Sequence, residues 1–154
     1  MSQVLAEYGL TVDPLLEADL DDPQQAYGAI WVATDNSDII GSVAIRLLAG
    51  GQDAELKRMY LKPAYRGRGL GRNLLSEAIG WAEHQGCQSI ALDTASSMTA
   101  AQRLYESAGF TRTGARTETG THDARCEILY ALDLKASATH KQGEGPESPP
   151  SDAP

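Results

Sequence analysis

The spacing of apolar residues divides the first half of the chain into strands. Strands are predicted over residues 29–34 and 39–48, with turn-forming residues at 35–38 between them. In the second strand, apolar Val43, Ile45 and Leu47 alternate onto one face. Gly50 and Gly51 then lead into a third predicted strand over residues 54–61. The front half is therefore expected to be a three-stranded meander, preceded by a helical or irregular stretch over residues 1–27.

Helical spacing replaces the alternating pattern after residue 69. One apolar stripe predicts a helix over residues 70–85 that ends at Gly86, and a second predicts a helix from Met98 to Ala108 that ends at Gly109. Between them, residues 89–94 form a buried strand, expected to be parallel to 54–61 because a helix connects the two. Two more strands are predicted over residues 110–119 and 125–134.

Composition limits the organisation of the chain and its partners. The 154 residues predict one domain over 1–135 and a disordered tail over 136–154, which is rich in Ser, Gly and Pro. The net charge is −8, and residues 1–45 hold eight acids and no Lys or Arg, which argues against a nucleic-acid partner. No apolar run predicts a membrane span and no signal peptide is evident, so a cytoplasmic protein is expected.

Cysteine and histidine usage predicts no metal site. Cys87 and Cys126 lie in apolar or strand-like surroundings and are expected to be buried free thiols. The three histidines show no ligand spacing. A homodimer is compatible with the sequence.

The strand over residues 54–61 changes its apolar parity. Ala54 and Leu56 are even-numbered, whereas Met59 and Leu61 are odd-numbered. A pattern of period two can change faces through an extra residue, so a β-bulge is predicted near Lys57 and Arg58. A strand end with loose patterning is the alternative.

A basic, glycine-rich turn follows this strand. Three glycines at every second position, Gly67, Gly69 and Gly71, stand directly before the first long helix. Six Lys or Arg and no acid lie between Lys57 and Arg72. Strand, glycine turn and helix together direct backbone N–H groups and the positive end of a helix dipole at an anion, so a polyphosphate ligand is predicted.

Two familiar phosphate-binding patterns fit this turn poorly. No Walker A sequence occurs in the chain. A dinucleotide fingerprint would need Gly or Ala where Arg72 stands, although Asp93 lies where a ribose-binding acid would be expected. The dinucleotide interpretation is kept as a minor alternative.

Three sequence blocks resemble the GCN5-related N-acetyltransferase (GNAT) family. They are the strand Glu55-Leu56-Lys57-Arg58-Met59-Tyr60-Leu61 with the loop Arg66-x-x-Gly69-x-Gly71, then Leu92-Asp93-Thr94, then Ala101-x-x-Leu104-Tyr105-x-x-x-Gly109-Phe110. The resemblance implies an α/β fold whose mixed, mostly antiparallel sheet of about six strands carries helices on both faces. It also implies acetyl-CoA as co-substrate and transfer of its acetyl group to an amine.

The resemblance assigns the cofactor to the bulged strand and the glycine turn. The strand backbone is expected to pair with the amides of the pantetheine arm, and a backbone N–H near Met59 is expected to bind the oxyanion. The implied cofactor-binding residues are Met59, Tyr60, Leu61, Arg66, Gly67, Arg68, Gly69, Leu70, Gly71 and Arg72. For Arg68 and Arg72, solvation without phosphate contact is the alternative.

Acetyl transfer needs a neutral amine and a protonated leaving thiol. Deprotonating an ammonium of pKa ~10.4 at pH 7 costs roughly 4–5 kcal/mol, which a positioned base reduces. Glu55 is the candidate base, with a solvated strand glutamate as the alternative. The resemblance assigns Tyr105 the role of general acid, whereas helical spacing alone would make it a core residue.

Two departures from the family pattern affect the expected site. Met98 stands where many members carry Asn, which removes one polar contact to the cofactor arm. The first family strand has no clear counterpart, so either it is absent or the start codon is misassigned.

A small-molecule amine is the favoured acceptor, with a protein amine or a non-catalytic acyl-CoA-binding module as alternatives. The acidic front, including Asp21 and Asp22, predicts a cationic amine, whereas Arg112, Arg116 and Arg125 would suit the carboxylate of an amino acid.

Overall fold

Six strands form one mixed sheet in the computed structural model, which describes residues 19, 21–113 and 128–135. In chain order they are β1 (Ala29–Asp35), β2 (Asp38–Leu47), β3 (Asp53–Leu61), β4 (Ser89–Thr94), β5 (Thr111–Thr113) and β6 (Ile128–Asp133). Across the sheet they run β1-β2-β3-β4-β6-β5, and of these neighbours β3 and β4 alone are parallel. The predicted fold class is confirmed. A dinucleotide-binding domain has a mostly parallel sheet, so that alternative is wrong.

The predicted meander is formed by β1, β2 and β3. Asp35 pairs with Asp38, so Asn36 and Ser37 form a two-residue hairpin loop. Both loop residues have positive φ, 46° and 80°, which is the geometry that matches the twist of a tight hairpin. The turn residues of the sequence therefore fix the register of the first two strands.

Three α-helices are described: α1 (Pro23–Ala26), α2 (Leu70–His84) and α3 (Thr99–Ser107). The apolar stripe of α2 is buried as predicted at Leu74, Leu75, Ala78 and Ala82. Gly86 follows α2 with φ +77°, and Gly109 follows α3 with φ +94°, so both predicted helix ends are confirmed.

Register assigns the side chains of the central strands to two faces. Ile45 pairs with Leu56, and Ala54 pairs with Ile90, so these residues share the face that packs into the core. Arg46 pairs with Glu55, and Glu55 with Ala91, so by alternation these side chains lie on the other face. The core and the polar partners of Glu55 are thus separated by the sheet.

The predicted bulge in β3 is confirmed. Ala44 pairs with Lys57 but Ser42 pairs with Tyr60, which leaves Arg58 and Met59 opposite the single residue Val43. The pairing of β3 with β4 covers only Asp53–Glu55 against Ser89–Ala91, although β3 continues to Leu61. Beyond Glu55 the two parallel strands therefore separate.

Several predictions fall outside the described residues. These concern the first family strand, the tail over 136–154, Cys126, Arg116, Arg125 and the parts of the last two predicted strands beyond Thr113 and before Ile128. Cys87 is buried and unbonded, and burial followed by the charge of Asp53 raises the pKa of its thiol.

Two features are absent from the described ranges. None of the helices there has the length and apolarity needed to cross a bilayer. The same part of the chain contains no group of three or more His, Cys, Asp or Glu that could hold a metal ion.

Candidate active site

A cleft of about 490 Å³ opens where β3 has separated from β4. One wall is the bulged end of β3, and the others are the glycine turn and the N-terminal parts of α2 and α3. Eight of the ten residues predicted to bind the cofactor line it: Met59, Tyr60, Leu61, Arg66, Gly67, Gly69, Gly71 and Arg72. The sequence thus identified most of the residues that meet in this cleft.

The glycine turn presents bare backbone to the cleft. Gly67 and Gly69 have φ of +75° and +80°, and a Cβ built on either would have no atom within 4 Å. Gly69 caps α2, and the first intrahelical bond runs from the Asn73 N–H to the Gly69 carbonyl. The N–H groups of residues 70–72 therefore precede the helical ladder and are suited to bind an anion.

Gly71 serves a different purpose from the other two glycines. A Cβ at this position would lie 3.3 Å from Leu104 and 3.7 Å from Met59. Here glycine allows α2 to approach both α3 and β3 closely, which closes the inner end of the cleft.

The three arginines of the turn are placed differently. Arg66 lines the cleft, and its Nε donates to the Leu61 carbonyl at 3.0 Å, which ties the turn to the end of β3. Arg72 also lines the cleft. Arg68 instead lies over the Tyr65 ring, 5.5 Å from its centroid, and neither Arg68 nor Leu70 is among the lining residues.

The start of α3 forms a further wall of the cleft, of which the sequence predicted only Met98 to lie beside the cofactor arm. Met98, Ala100, Ala101 and Leu104 line the cleft. The sequence did contain a signal for this wall. The small residue Ala101 opens the helical block that resembles the family alongside the glycine turn. Met98, expected beside the cofactor arm, lines the cleft. The Thr94 hydroxyl contacts its sulfur at 3.7 Å.

Tyr105 lies in the core directly behind the cleft. It is 4% exposed, and its ring centroid is 5.9 Å from that of Phe110 and 6.1 Å from that of Tyr130. Its neighbour Leu104 lines the cleft, whereas Tyr105 is not among the lining residues. The two neighbouring rings hold the Tyr105 side chain in place. A hydroxyl that must be precisely oriented requires such packing around it.

Glu55 belongs to a charge cluster formed by Arg46, Glu55, Lys57 and Asp93. Its Oε2 accepts from Arg46 Nε at 2.7 Å, and its Oε1 is 3.7 Å from Lys57 Nζ. Lys57 Nζ also lies 3.3 Å from Asp93 Oδ1. Glu55 is 6% exposed and occupies the last β3–β4 pair before the strands separate, on the face away from the core.

Three acids of the front segment have structural partners. Asp22 accepts from the Gln25 N–H and caps α1, and Asp19 pairs with Arg58. Asp35 accepts from the Tyr65 hydroxyl at 2.7 Å, and this bond, with smaller contributions from burial and charge, raises the pKa of Tyr65. Part of the acidity of residues 1–45 thus stabilises the fold.

Comparison with known families agrees with this geometry. The model of the acetyltransferase (GNAT) family matches residues 4–110. An uncharacterized N-acetyltransferase of Escherichia coli (strain K12) is 36% identical over 117 residues, which cover 70% of each chain. The N-acetylaspartate synthetase of Xenopus tropicalis is 34% identical over 104 residues, 64% of this chain and 38% of the relative.

Solved structures share the architecture. An acetyltransferase of the GNAT family from Staphylococcus aureus Mu50 superposes with a TM-score of 0.78 at 24% identity, covering 84% of each chain. A structure of a putative acetyltransferase from Salmonella typhimurium with its cofactor acetyl-CoA has a TM-score of 0.59 at 25% identity, covering 92% of this chain and 80% of that one.

Proposed function

Because the chain belongs to the acetyltransferase (GNAT) family, we propose that it moves the acetyl group of acetyl-CoA to the primary amine of a small molecule by direct attack. Acetyl-CoA is the co-substrate of this acyltransferase and supplies an activated acetyl thioester. The observation that carries the proposal is the cleft between the separated strands, which joins an anion-binding helix start to an open strand edge.

The glycine turn fits the diphosphate of the co-substrate. Open space in front of Gly67 and Gly69 leaves room for phosphate oxygens against the backbone. The N–H groups at the start of α2 provide neutral donors, and Arg66 and Arg72 supply positive charge at the same end of the cleft. Such a combination binds anions through both hydrogen bonds and the helix dipole.

The bulged end of β3 fits an extended ligand with amide groups. Met59, Tyr60 and Leu61 line the cleft and are paired on the β2 side, while β4 has moved away on the other side. An extended arm laid along this edge would pair with the backbone as an added strand does. A backbone N–H at Met59 is then the donor for the oxyanion that develops during transfer.

Tyr105 is the proposed general acid and Glu55 the proposed general base. A phenol stays protonated at neutral pH and can donate to a departing thiolate, and Tyr105 stands one residue from the cleft wall at Leu104. Glu55 lies at the fork between β3 and β4, where a carboxylate can take a proton from the amine directly or through water. Its bonds to Arg46 fix the carboxylate in one orientation.

A small-molecule acceptor is favoured over a protein amine by one comparison. The relative from Xenopus tropicalis is named for the synthesis of N-acetylaspartate, an acetylated amino acid. Turnover with a panel containing a polyamine, an amino acid, a neutral amine and a lysine-containing peptide distinguishes these acceptor classes. Binding of acetyl-CoA without any turnover would favour the non-catalytic acyl-CoA-binding alternative.

A matched pair of glycine variants tests the assignment of the cleft. Gly69 and Gly86 have similar φ, +80° and +77°, and neither has an atom within 4 Å of an added Cβ. They lie on either side of the 15-residue helix α2. At ~1.5 Å per residue they are about 25 Å apart along the helix, so valine reaches the cleft only at Gly69. Because the two φ values are similar, valine causes comparable backbone strain at both positions.

Gly69→Val is expected to weaken acetyl-CoA binding by about 10-fold or more, because it displaces charge-assisted hydrogen bonds worth ~1.5–3 kcal/mol. Gly86→Val should lower stability to a similar extent and bind acetyl-CoA normally. Calorimetry on the two folded variants measures both effects. Equal affinities would overturn the assignment of the cleft.

A further inference from the structure

Arg58 adopts an unusual backbone conformation at the bulge. Among the described residues, three that are not glycine have positive φ: Asn36, Ser37 and Arg58, the last at 54°. The first two form a hairpin loop that favours this geometry. Arg58 is a long side chain within a strand, where positive φ is sterically unfavourable, so other contacts must hold it there.

Contacts from two directions hold Arg58. Its carbonyl accepts from the Ser42 hydroxyl at 2.9 Å across the bulge. Its guanidinium donates from Nε to Asp19 Oδ2 at 2.9 Å and from Nη2 to Asp19 Oδ1, and Nε also donates to the Tyr27 hydroxyl at 3.2 Å. Tyr27 in turn donates to Asp19. We call Asp19, Tyr27 and Arg58 the clamp.

The clamp is largely removed from water. The side chains of Arg58 and Asp19 are 13% and 17% exposed, and Tyr27 is buried. Burial alone would lower the pKa of Arg58, but the bond to Asp19 and one to Tyr60 outweigh it and raise the pKa. A bidentate pair in such surroundings is geometrically specific, since the planar fork of arginine matches a carboxylate.

The clamp connects the segment before β1 to one wall of the cleft. Met59, Tyr60 and Leu61 follow Arg58 directly and line the cleft. This part of β3 is paired with β2 on one side, while the pairing with β4 has ended at Glu55. The orientation of the Met59 peptide therefore depends on the bulge, and the bulge depends on Arg58.

We propose that Arg58 is a positioning residue: its ion pair with Asp19, supported by Tyr27, sets the direction of the Met59 backbone N–H and thereby the rate of acetyl transfer. This inference rests on the proposed function, in which that N–H stabilises the oxyanion. A donor aimed in advance at developing charge is effective because it needs no reorganisation, and a misplacement of about 1 Å can cost ~10²-fold in rate.

Arg58→Gly and Asp19→Asn test the proposal through kinetics. Glycine adopts positive φ without strain, so Arg58→Gly removes the clamp without straining the backbone at the bulge. Both variants should lower kcat by about 10-fold or more and change KM for acetyl-CoA by less than about 3-fold. Arg58→Lys should resemble Arg58→Gly, because an ammonium cannot reproduce the bidentate pair.

A double variant and a control identify the cause. Asp19→Asn combined with Arg58→Gly should be no slower than Arg58→Gly alone, since one interaction is removed twice. Arg103→Lys, at an exposed position on α3, should match the wild-type rate. A wild-type kcat in Arg58→Gly would show that the side chain only offsets backbone strain, and would overturn the proposal.

A spectroscopic measurement separates this inference from the proposed function. The amide signal of Met59 in the ¹⁵N–¹H NMR spectrum of the ligand-free protein should shift in Asp19→Asn, which is distant in sequence, but not in Arg103→Lys. Wild-type protein without acetyltransferase activity would contradict the proposed function and the kinetic part of this inference. An unshifted Met59 signal in Asp19→Asn would contradict the positioning role itself, whatever the activity.

Discussion

The two halves of β3 behave as different structural elements within one strand. In the first half, Asp53–Glu55 pairs with β4 and residues 54–57 pair with β2, and Ala54 and Leu56 are buried at 0% and 2% exposure. In the second half, Arg58 to Leu61 are all partly exposed, and β4 no longer pairs with them. One extra residue and the loss of one neighbour convert a core strand into the wall of a binding cleft.

This difference shows how a fold can combine stability with an accessible backbone. Backbone groups buried without partners are costly, so a strand in mid-sheet normally pairs on both sides. Where β3 and β4 separate, the edge of β3 that no longer pairs with β4 borders the cleft, in which a ligand can lie along it. Stability should therefore depend on the first half and activity on the second.

The largest expected effect compares two leucines of β3. Leu56→Ala, in the closed half, should lower the free energy of unfolding by about 3 kcal/mol, because Leu56 is buried in the core. Leu61→Ala should cost less than about half as much, because this side chain is partly exposed and lines the cleft. Urea denaturation measures both values.

The same two variants should also differ in KM for the co-substrate. Leu61→Ala should raise KM for acetyl-CoA, whereas Leu56→Ala, assayed below its unfolding transition, should leave it unchanged. Similar losses of stability in both variants would contradict the division of β3 into a core half and a binding half.

A second prediction concerns the residue behind the cleft. Tyr105→Phe retains the ring that packs on Phe110 and Tyr130 and removes only the hydroxyl. If this hydroxyl protonates the leaving thiol, kcat should fall by ~10²-fold while acetyl-CoA affinity is retained. Steady-state kinetics with calorimetry test this, and an unchanged kcat would assign Tyr105 to the core alone.

Tyr130→Phe is the matched control for Tyr105→Phe. It removes a neighbouring hydroxyl that donates to Glu106 at 2.8 Å, and it should leave kcat within about 2-fold. Burial, followed by the bond to Glu106, raises the pKa of Tyr130, so its stabilising contribution is present below pH ~10 and is lost as pH rises further. Assays near pH ~8 therefore keep the Tyr130 phenol of the wild-type protein protonated.

The smallest effect is expected within the charge cluster. Glu55→Gln should reduce kcat by about 10-fold and flatten the acidic limb of the pH–rate profile, since the amide cannot accept a proton. Arg46→Gln removes the main partner of Glu55 but retains its carboxylate. This variant should lower the free energy of unfolding by about 1–3 kcal/mol and retain the acidic limb.

Stopped assays across pH on both cluster variants distinguish the roles of Glu55. If Glu55→Gln loses stability as Arg46→Gln does and keeps an unaltered acidic limb, Glu55 serves the ion pair and is not the base.

The sequence by itself determined the elements and the position of the binding turn. Period-two and helical spacing predicted the meander and both long helices, because burying one face imposes those periods. The parity change between Leu56 and Met59 located the bulge, since an alternating pattern cannot otherwise change faces. Glycine at residues 67, 69 and 71 located the turn before α2, because Gly67 and Gly69 have positive φ and Gly71 allows close packing.

Only the tertiary structure decided which side chains reach the cleft. Arg68 and Arg66 look equivalent in the sequence, yet Arg68 lies over Tyr65 while Arg66 lines the cleft. Glu55 resembles an ordinary strand glutamate until the register of β2 brings Arg46 beside it. The clamp joins residues far apart in the chain, Asp19 and Tyr27 with Arg58. Local periodicity records which face is buried, whereas partners across strands are set by register and packing between distant segments.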